Sequence, residues 1–330
     1  MRCDFNCPLD ERGNILDDFR IKEVLPTIKY LIEREAKVIL MSHLGRPDGK
    51  VVENLRLTPI QKKLTEYLNL SVAKTQDCVG KEVENMISRM KTGEILLLEN
   101  IQFNLGEKEN DQDFIKTLAS YGDIFIMEAF GQAHRNYASI TGIPEYLPSA
   151  AGFLLEREIR ILTNLIKNPE KPLITIIGGA KVEDKSKVID EFLINSDFLL
   201  IGGLIEKEIK EKGLKFDFPE KIIAPVDSVD TFDIGRETIK IFEEKIKKAK
   251  TIFWSGPLGK IEEEKYQEGS KEIANAIIKS KAFSVTGGGE TVEFLNKIGL
   301  TGKFNHVSTG GGAMLEFLSG EKLPGIEALK

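Results

Sequence analysis

Five times in the second half of this chain an apolar, strand-like run stops on glycine and gives way to a helical pattern. The first, at 173–185, reads L-I-T-I-I-G-G-A-K-V-E-D-K. The others are F-L-L-I-G-G-L-I-E (198–206), T-I-F-W-S-G-P-L-G-K-I-E (251–262), F-S-V-T-G-G-G-E-T-V-E-F (283–294) and H-V-S-T-G-G-G-A-M-L-E-F (306–317). One glycine after a strand is ordinary turn chemistry. Five in succession leave few folds open, because strands alternating with helices form parallel sheets whose carboxyl ends share one rim. Glycines on such a rim free backbone N–H groups at helix N-termini, where anions bind. Lys181 and Lys185 beside the first unit point to an anion of several charges. The half-chain therefore reads as a parallel sheet presenting a phosphate-binding rim.

The first half alternates in the same way with less glycine. Strands are expected at 1–7, 36–41, 94–99 and 123–127. Helices are expected from Asp17 or Asp18 to about 35, and at 58–68, 80–90 and 111–121. Val24, Leu25, Ile28, Leu31 and Ile32 form the apolar stripe of the first helix. Ligands of parallel sheets bind beyond the carboxyl ends of the strands. The sequence puts Asp4, Asn6, His43, Arg46, Gln102, His134 and Arg135 there, with Arg20 at the start of the first helix. Cations and amides of this kind suit a small anion. An apolar-striped helix at 152–168, closed by Asn168-Pro169, marks the junction between the halves.

Length and composition narrow the reading further. A chain of 330 residues suffices for two domains with a substantial core each. The net charge of −6, with both signs interspersed, gives no support to a nucleic-acid-binding surface. Cys3, Cys7 and Cys78 lack metal-type pairing and read as free thiols of a reducing cytosol. There is no signal peptide and no apolar run of membrane-spanning length, so a cytoplasmic protein is expected. G-x-x-x-x-G-K-[ST] is absent, and no G-x-G-x-x-G follows the first strand, which argues against a P-loop and against a dinucleotide fold of the usual kind. His43, His134 and His306 stand beside Gly or Arg in loops, or away from any serine or cysteine elbow, so nucleophilic catalysis lacks its parts.

Nine segments, in order, resemble phosphoglycerate kinase: D-F-N-x-P-L-D (4–10), R-I-x-x-x-L-P-T-I (20–28), S-H-L-G-R-P (42–47), L-L-L-E-N (96–100), A-F-G-x-A-H-R (129–135), G-G-A-K-V-x-D-K (178–185), G-P-L-G (256–259), G-G-G-E-T (287–291) and S-T-G-G-G-A-x-L-E-F-L (308–318). The resemblance spans nearly the whole chain. It implies an α/β protein of two parallel-sheet domains, flanked by helices and facing across a cleft with a helical hinge. The implied boundaries are 1–151 for a phosphoglycerate-binding domain and 152–171 for the hinge. A nucleotide-binding domain at 172–310 and a segment at 311–330 returning towards the hinge complete the chain. The implied reaction is reversible phosphoryl transfer between 1,3-bisphosphoglycerate and ADP, giving 3-phosphoglycerate and ATP, with Mg²⁺. By motif match, Asp4, Phe5, Asn6, Arg20, His43, Leu44, Gly45, Arg46, Gln102 and Arg135 are implied for the acid. Gly179, Lys181, Lys185, Gly203, Gly235, Ser255, Glu262, Gly288, Gly289, Glu290 and Thr291 are implied for the nucleotide, and Glu290 for the metal. Arg20, Lys181, Gly289 and Gly312 are implied around the transferring group. No general base is needed, because the carboxylate acceptor is already ionised at neutral pH.

The chain also departs from the family pattern. Gln102 stands in place of an arginine in E-N-x-R-F, which removes a charge-assisted contact worth roughly 1.5–3 kcal/mol. Glu290 replaces an aspartate, Ser255 an asparagine and Leu204 a glycine, while Lys260 and Ile261 replace apolar residues. The family has more chain after Gly202-Gly203 and again before Phe232-Asp233-Ile234-Gly235, partly around the adenosine pocket. Its leading segment is also missing, which would leave the first strand short. Relaxed base specificity is the expectation, with GTP accepted beside ATP. A silent relative that binds ligands or partners, and a kinase for another acid, are the alternatives. A monomer with small-molecule partners and no membrane partner is expected.

Overall fold

A computed structural model describes residues 1–179 and 186–330, so Lys181 and Lys185 lie outside the described residues. The chain divides into two compact units, Met1–Glu158 with Lys322–Lys330, and Ile159–Glu321; the division falls inside the helix Phe153–Lys167.

In the first unit Val72–Lys74, Ile95–Leu97 and Val38–Leu40 lie side by side as parallel strands, as do Phe125–Met127 and Ser149–Ala151. Arg2 joins the two groups by parallel bridges to Met41 and Met127. The expected strand at 1–7 is thus confined to its first residues. Beyond Cys3 the backbone amides turn to side chains: the Phe5 N–H donates to Ser42 Oγ at 2.9 Å, and the Asn6 N–H to Asp4 Oδ1 at 3.1 Å. An amide given to a side chain is lost to the ladder. The helix Phe19–Glu33 packs Ile21, Val24 and Ile28 on this sheet, and Asp17 rather than Asp18 accepts the Phe19 N–H, at 2.8 Å. The helices at 58–68, 80–90 and 111–121 form within a residue or two of those bounds, as Thr58–Leu68, Lys81–Arg89 and Gln112–Ala119.

The second unit holds one six-stranded parallel sheet, ordered His306–Val307, Phe283–Gly287, Thr251–Ser255, Leu173–Ile177, Phe198–Ile201, Ile222–Ile223. Leu173–Ile177 and Thr251–Ser255 are buried at every position, which is why they read as unbroken apolar runs. Numbered along the chain, the order is 3-2-1-4-5-6, that of a doubly wound sheet, although the dinucleotide fingerprint is absent. Its direction reverses between Leu173–Ile177 and Thr251–Ser255, and ligands of such sheets bind beside that reversal.

Candidate active site

On the first unit Asp4 and His43 come just after strand-forming residues, while Gln102, His134 and Arg135 lie in the segments that follow Ile95–Leu97 and Phe125–Met127. Arg20, in the first turn of its helix, brings Nη1 to 3.3 Å from Asp4 Oδ1 and donates to the Asn6 carbonyl at 3.0 Å. His43 places Nδ1 at 4.0 Å from the same Asp4 oxygen. Burial alone would raise the Asp4 carboxyl, but the Arg20 and Arg2 charges, with the Asn6 N–H, outweigh it and hold the group below its ordinary value. Burial lowers His43 to about 3, helped by Arg2 and Arg20, and lowers His134 to about 4, helped by Arg135. Both imidazoles are therefore neutral at neutral pH. Among the described residues, Asp4 Oδ2, Gln102 Oε1 and His134 Nδ1 are buried without a partner. Buried polar atoms are nearly always satisfied, so three orphans on one rim mark a place where a polar ligand completes the bonding.

The motif-matched residues divide into rim and frame. Arg46 and Arg135 are exposed. Phe5 and Leu44, expected to meet the acid, have their side chains in the apolar core of the unit, so both support the rim from below. Asn6 Oδ1 accepts the Gly45 N–H at 2.8 Å, and Gly45 has φ +64° with Leu55 so close that a Cβ would sit 2.6 Å from it. That pair locks the loop after Val38–Leu40. Sequence reasoning missed Arg2 and Glu107, both fully buried. Arg2 Nε donates to Ser139 Oγ at 2.7 Å, and Glu107 accepts from the Ser139 hydroxyl at 2.6 Å and from its N–H at 2.9 Å. A charged residue at the start of an apolar run was the one available signal.

On the second unit, glycines let two strand ends touch at the sheet reversal. The Gly178 N–H donates to the Ser255 carbonyl at 3.0 Å and the Gly179 N–H to the Pro257 carbonyl at 2.6 Å. A Cβ on Gly178 would lie 2.1 Å from the Pro257 carbonyl oxygen. These amides were expected to be free for an anion; they are instead used to join neighbouring loops. Open donors occur elsewhere on the rim. The helices Gly203–Lys212, Gly289–Lys297 and Gly311–Leu318 start after Gly202, Gly288 and Gly310, none of which has a side chain to cap with, and among the described residues no other side chain supplies a cap. Each leaves first-turn N–H groups and the positive end of its dipole for a ligand. The last two adjoin, since a Cβ on Gly311 would meet the Gly288 Cα at 3.2 Å.

Gly235 does not belong to this set. The helix it precedes, Arg236–Ile246, is capped by Asp227, which accepts the Thr238 N–H at 2.8 Å and the Glu237 N–H at 3.0 Å, and the Gly235 N–H itself goes to the Asp227 carbonyl. Thr291 is buried and its hydroxyl accepts the Gly256 N–H at 2.8 Å, so it braces the turn after Thr251–Ser255. Ser255 is buried beneath Gly288, whereas Gly289, Glu290, Glu262 and Gly312 are exposed. Among the described residues no cluster of three or more His, Cys, Asp or Glu is arranged to hold a metal ion.

The phosphoglycerate kinase family model matches the chain over residues 1–217 and 210–321. A phosphoglycerate kinase of Dictyoglomus turgidum is 43% identical over 376 aligned positions, covering 100% of this chain and 94% of the relative. One of Borrelia garinii is 41% identical, covering 100% and 95%. The chain belongs to the phosphoglycerate kinase family. Among solved structures, phosphoglycerate kinase from Pyrococcus horikoshii superposes with a TM-score of 0.87 at 34% identity, over 99% of this chain and 94% of that one. The enzyme from Coxiella burnetii gives 0.83 at 34%, over 99% and 94%. The alignments run longer than the 330 residues of this chain, so these phosphoglycerate kinases carry internal segments that it lacks. The family model breaks at 210–217, beside the stretch after Gly202-Gly203 where the sequence is short. The activity is that of a phosphoglycerate kinase, a phosphotransferase with a carboxyl acceptor that interconverts 1,3-bisphosphoglycerate and ADP with 3-phosphoglycerate and ATP. Nothing in these relationships favours a silent ligand-binding relative.

Proposed function

We propose that the first unit's rim holds the acid and the second unit's rim holds Mg-nucleotide, with domains at 1–151 and 172–310, a hinge at 152–171 and a C-terminal segment at 311–330. The observation that carries the acid half is the set of orphaned atoms on this rim, with Arg20 beside Asp4. The buried, partnerless Asp4 Oδ2 suits the hydroxyl of 3-phosphoglycerate, while Arg20, Arg46 and Arg135 suit its negative ends. Gln102 adds an uncharged contact. The neutral His43 and His134 act as donors rather than as proton-transfer groups, which agrees with an acceptor carboxylate that needs no base.

For the nucleotide, three uncapped helix N-termini around Gly203, Gly289 and Gly312 fit a chain of phosphates. Lys181 and Lys185 are assigned to the same phosphates by motif. Mg²⁺ is commonly held by one or two carboxylates together with substrate phosphates, and the exposed Glu290 at a helix start fits that donor set, with Glu262 assigned to the nucleotide by motif. When bound, the ion neutralises charge on the phosphate oxygens. Arg20, Lys181 and the N–H groups of Gly289 and Gly312 are the groups we assign to the charge that spreads over the transferring phosphoryl oxygens. Transfer also requires both ligands in one water-excluded volume, since water would otherwise hydrolyse the acyl phosphate.

Among the described residues no helix is long and apolar enough to cross a membrane. The three free, buried cysteines support a reducing, cytoplasmic setting, and we infer a monomer acting on small molecules. A coupled assay for ATP formation from 1,3-bisphosphoglycerate tests the reading, with Lys181→Ala as the control. Turnover in the parent that the control abolishes is the expected result; an inactive parent chain overturns it.

A further inference from the structure

We propose that Arg2, braced by Glu107 and Ser139, is a positioning residue for His43: it occupies the Nδ1 lone pair and so holds the imidazole as the neutral tautomer with its proton on Nε2. Arg2 is wholly buried in the central position of the first unit's sheet. Its guanidinium is held from three sides, by Ser139 Oγ, by the Cys3 carbonyl, and by Glu107 Oε1 at 3.9 Å. The same Nη2 that faces Glu107 also lies 3.4 Å from His43 Nδ1. A guanidinium has only donors, so the ring nitrogen it faces must be the acceptor. In a neutral imidazole the other nitrogen then carries the proton.

The charged groups acting on His43 come from several elements. Asp4 and Arg2 lie on the first segment, Arg20 on the helix Phe19–Glu33 and Lys108 on the short helix Leu105–Glu109. Glu107 stands behind Arg2. Asp4 alone favours an imidazolium, but it is itself paired with Arg20 at 3.3 Å. A proton on Nδ1 would point at Arg2 inside a buried site. The arrangement therefore offers the acid an uncharged N–H from Nε2 whose strength does not change across the physiological pH range. This consequence for the acid rests on the assignment of His43 to the acid-binding rim.

The test is two-bond ¹H–¹⁵N NMR of the whole chain labelled in its histidines, with His43→Gln used to identify the His43 signals. The expected spectrum has the pyrrole-type shift at Nε2 and the pyridine-type shift at Nδ1, unchanged from about pH 5.5 to 8. A proton on Nδ1, or a titration within that range in the parent protein, overturns the proposal without any variant. Arg2→Met, paired with Glu107→Gln so that no buried charge is left alone, should let His43 sample both tautomers and titrate near its ordinary value. The KM for 3-phosphoglycerate should then fall roughly tenfold between pH 7.5 and 5.5, as an imidazolium forms beside the acid, while it stays flat in the parent. A folded double variant whose His43 spectrum and KM profile match the parent also overturns the proposal. The spectrum needs no turnover, so an inactive chain with the expected spectrum counts against the kinase reading alone, and an active chain with a titrating His43 counts against this inference alone.

Discussion

Gln102 shows what one side chain can change in an otherwise matched site. It is buried, its Oε1 lacks a partner among the described residues, and its backbone N–H is tied to Asn100 Oδ1 at 3.1 Å, which fixes the turn that carries it. Restoring a guanidinium by Gln102→Arg should lower the KM for 3-phosphoglycerate by roughly ten- to a hundredfold, the worth of one charge-assisted hydrogen bond. An unchanged KM in a steady-state assay would mean that another cation already makes the contact. Arg20→Gln should act in the opposite direction and reduce kcat/KM by at least about tenfold, because it removes a cation from both the acid and the Asp4 carboxylate. The placing of Asp4 and His43 after strand residues, and of Arg20 at the start of a helix, was legible from the sequence, since apolar runs and helical stripes are local signals. Arg2 and Glu107 were not, because their value lies in a partner about a hundred residues away in the chain.

At the level of elements, helix starts decide which glycines are available to a ligand. Three helices of the second unit begin on glycine with no side-chain cap, while Arg236–Ile246 begins on Gly235 with Asp227 supplying the cap. Asp227→Ala should destabilise this unit by about 0.5–2 kcal/mol, the usual worth of an N-cap, visible as a lower denaturant midpoint with the nucleotide KM unchanged. Asp233 gives a second test. It receives the Gly269 and Ile234 N–H groups at 2.8 and 2.9 Å, yet burial raises its carboxyl to about 6. The folded state then binds the proton more tightly than the unfolded chain, so this group's contribution is greatest below the ordinary aspartate range and declines as pH rises towards 6. Urea titrations from pH 4 to 6.5 should show that decline, and Asp233→Asn should flatten it; an equal slope in both proteins would place the titration elsewhere.

At the scale of the whole molecule the chain is shorter than its relatives, and the family model breaks at 210–217 in the second unit. Leu204, Val226, Val229 and Phe232 are exposed on the second unit, in or beside the stretches where the chain is shorter. Apolar groups offer a base surface contact without reading its hydrogen-bonding edge. KM values for ATP, GTP and ITP should therefore agree within roughly a hundredfold, because a hydrophobic site discriminates between isosteric bases by only about 1–3 kcal/mol. A much stronger preference for ATP in the same assay would refute the expectation of relaxed specificity.

The alternation of apolar runs, glycines and helical stripes was enough to establish two parallel-sheet units and to put the candidate residues on their carboxyl rims, because periodicity and turn chemistry are local. Which amides stay open, which arginine is buried and which carboxylate caps a helix depended on residues far apart in the chain. Hydrogen-bond partners and burial are settled only when distant segments pack, so Gly178, Gly235 and Arg2 took their roles from the tertiary structure.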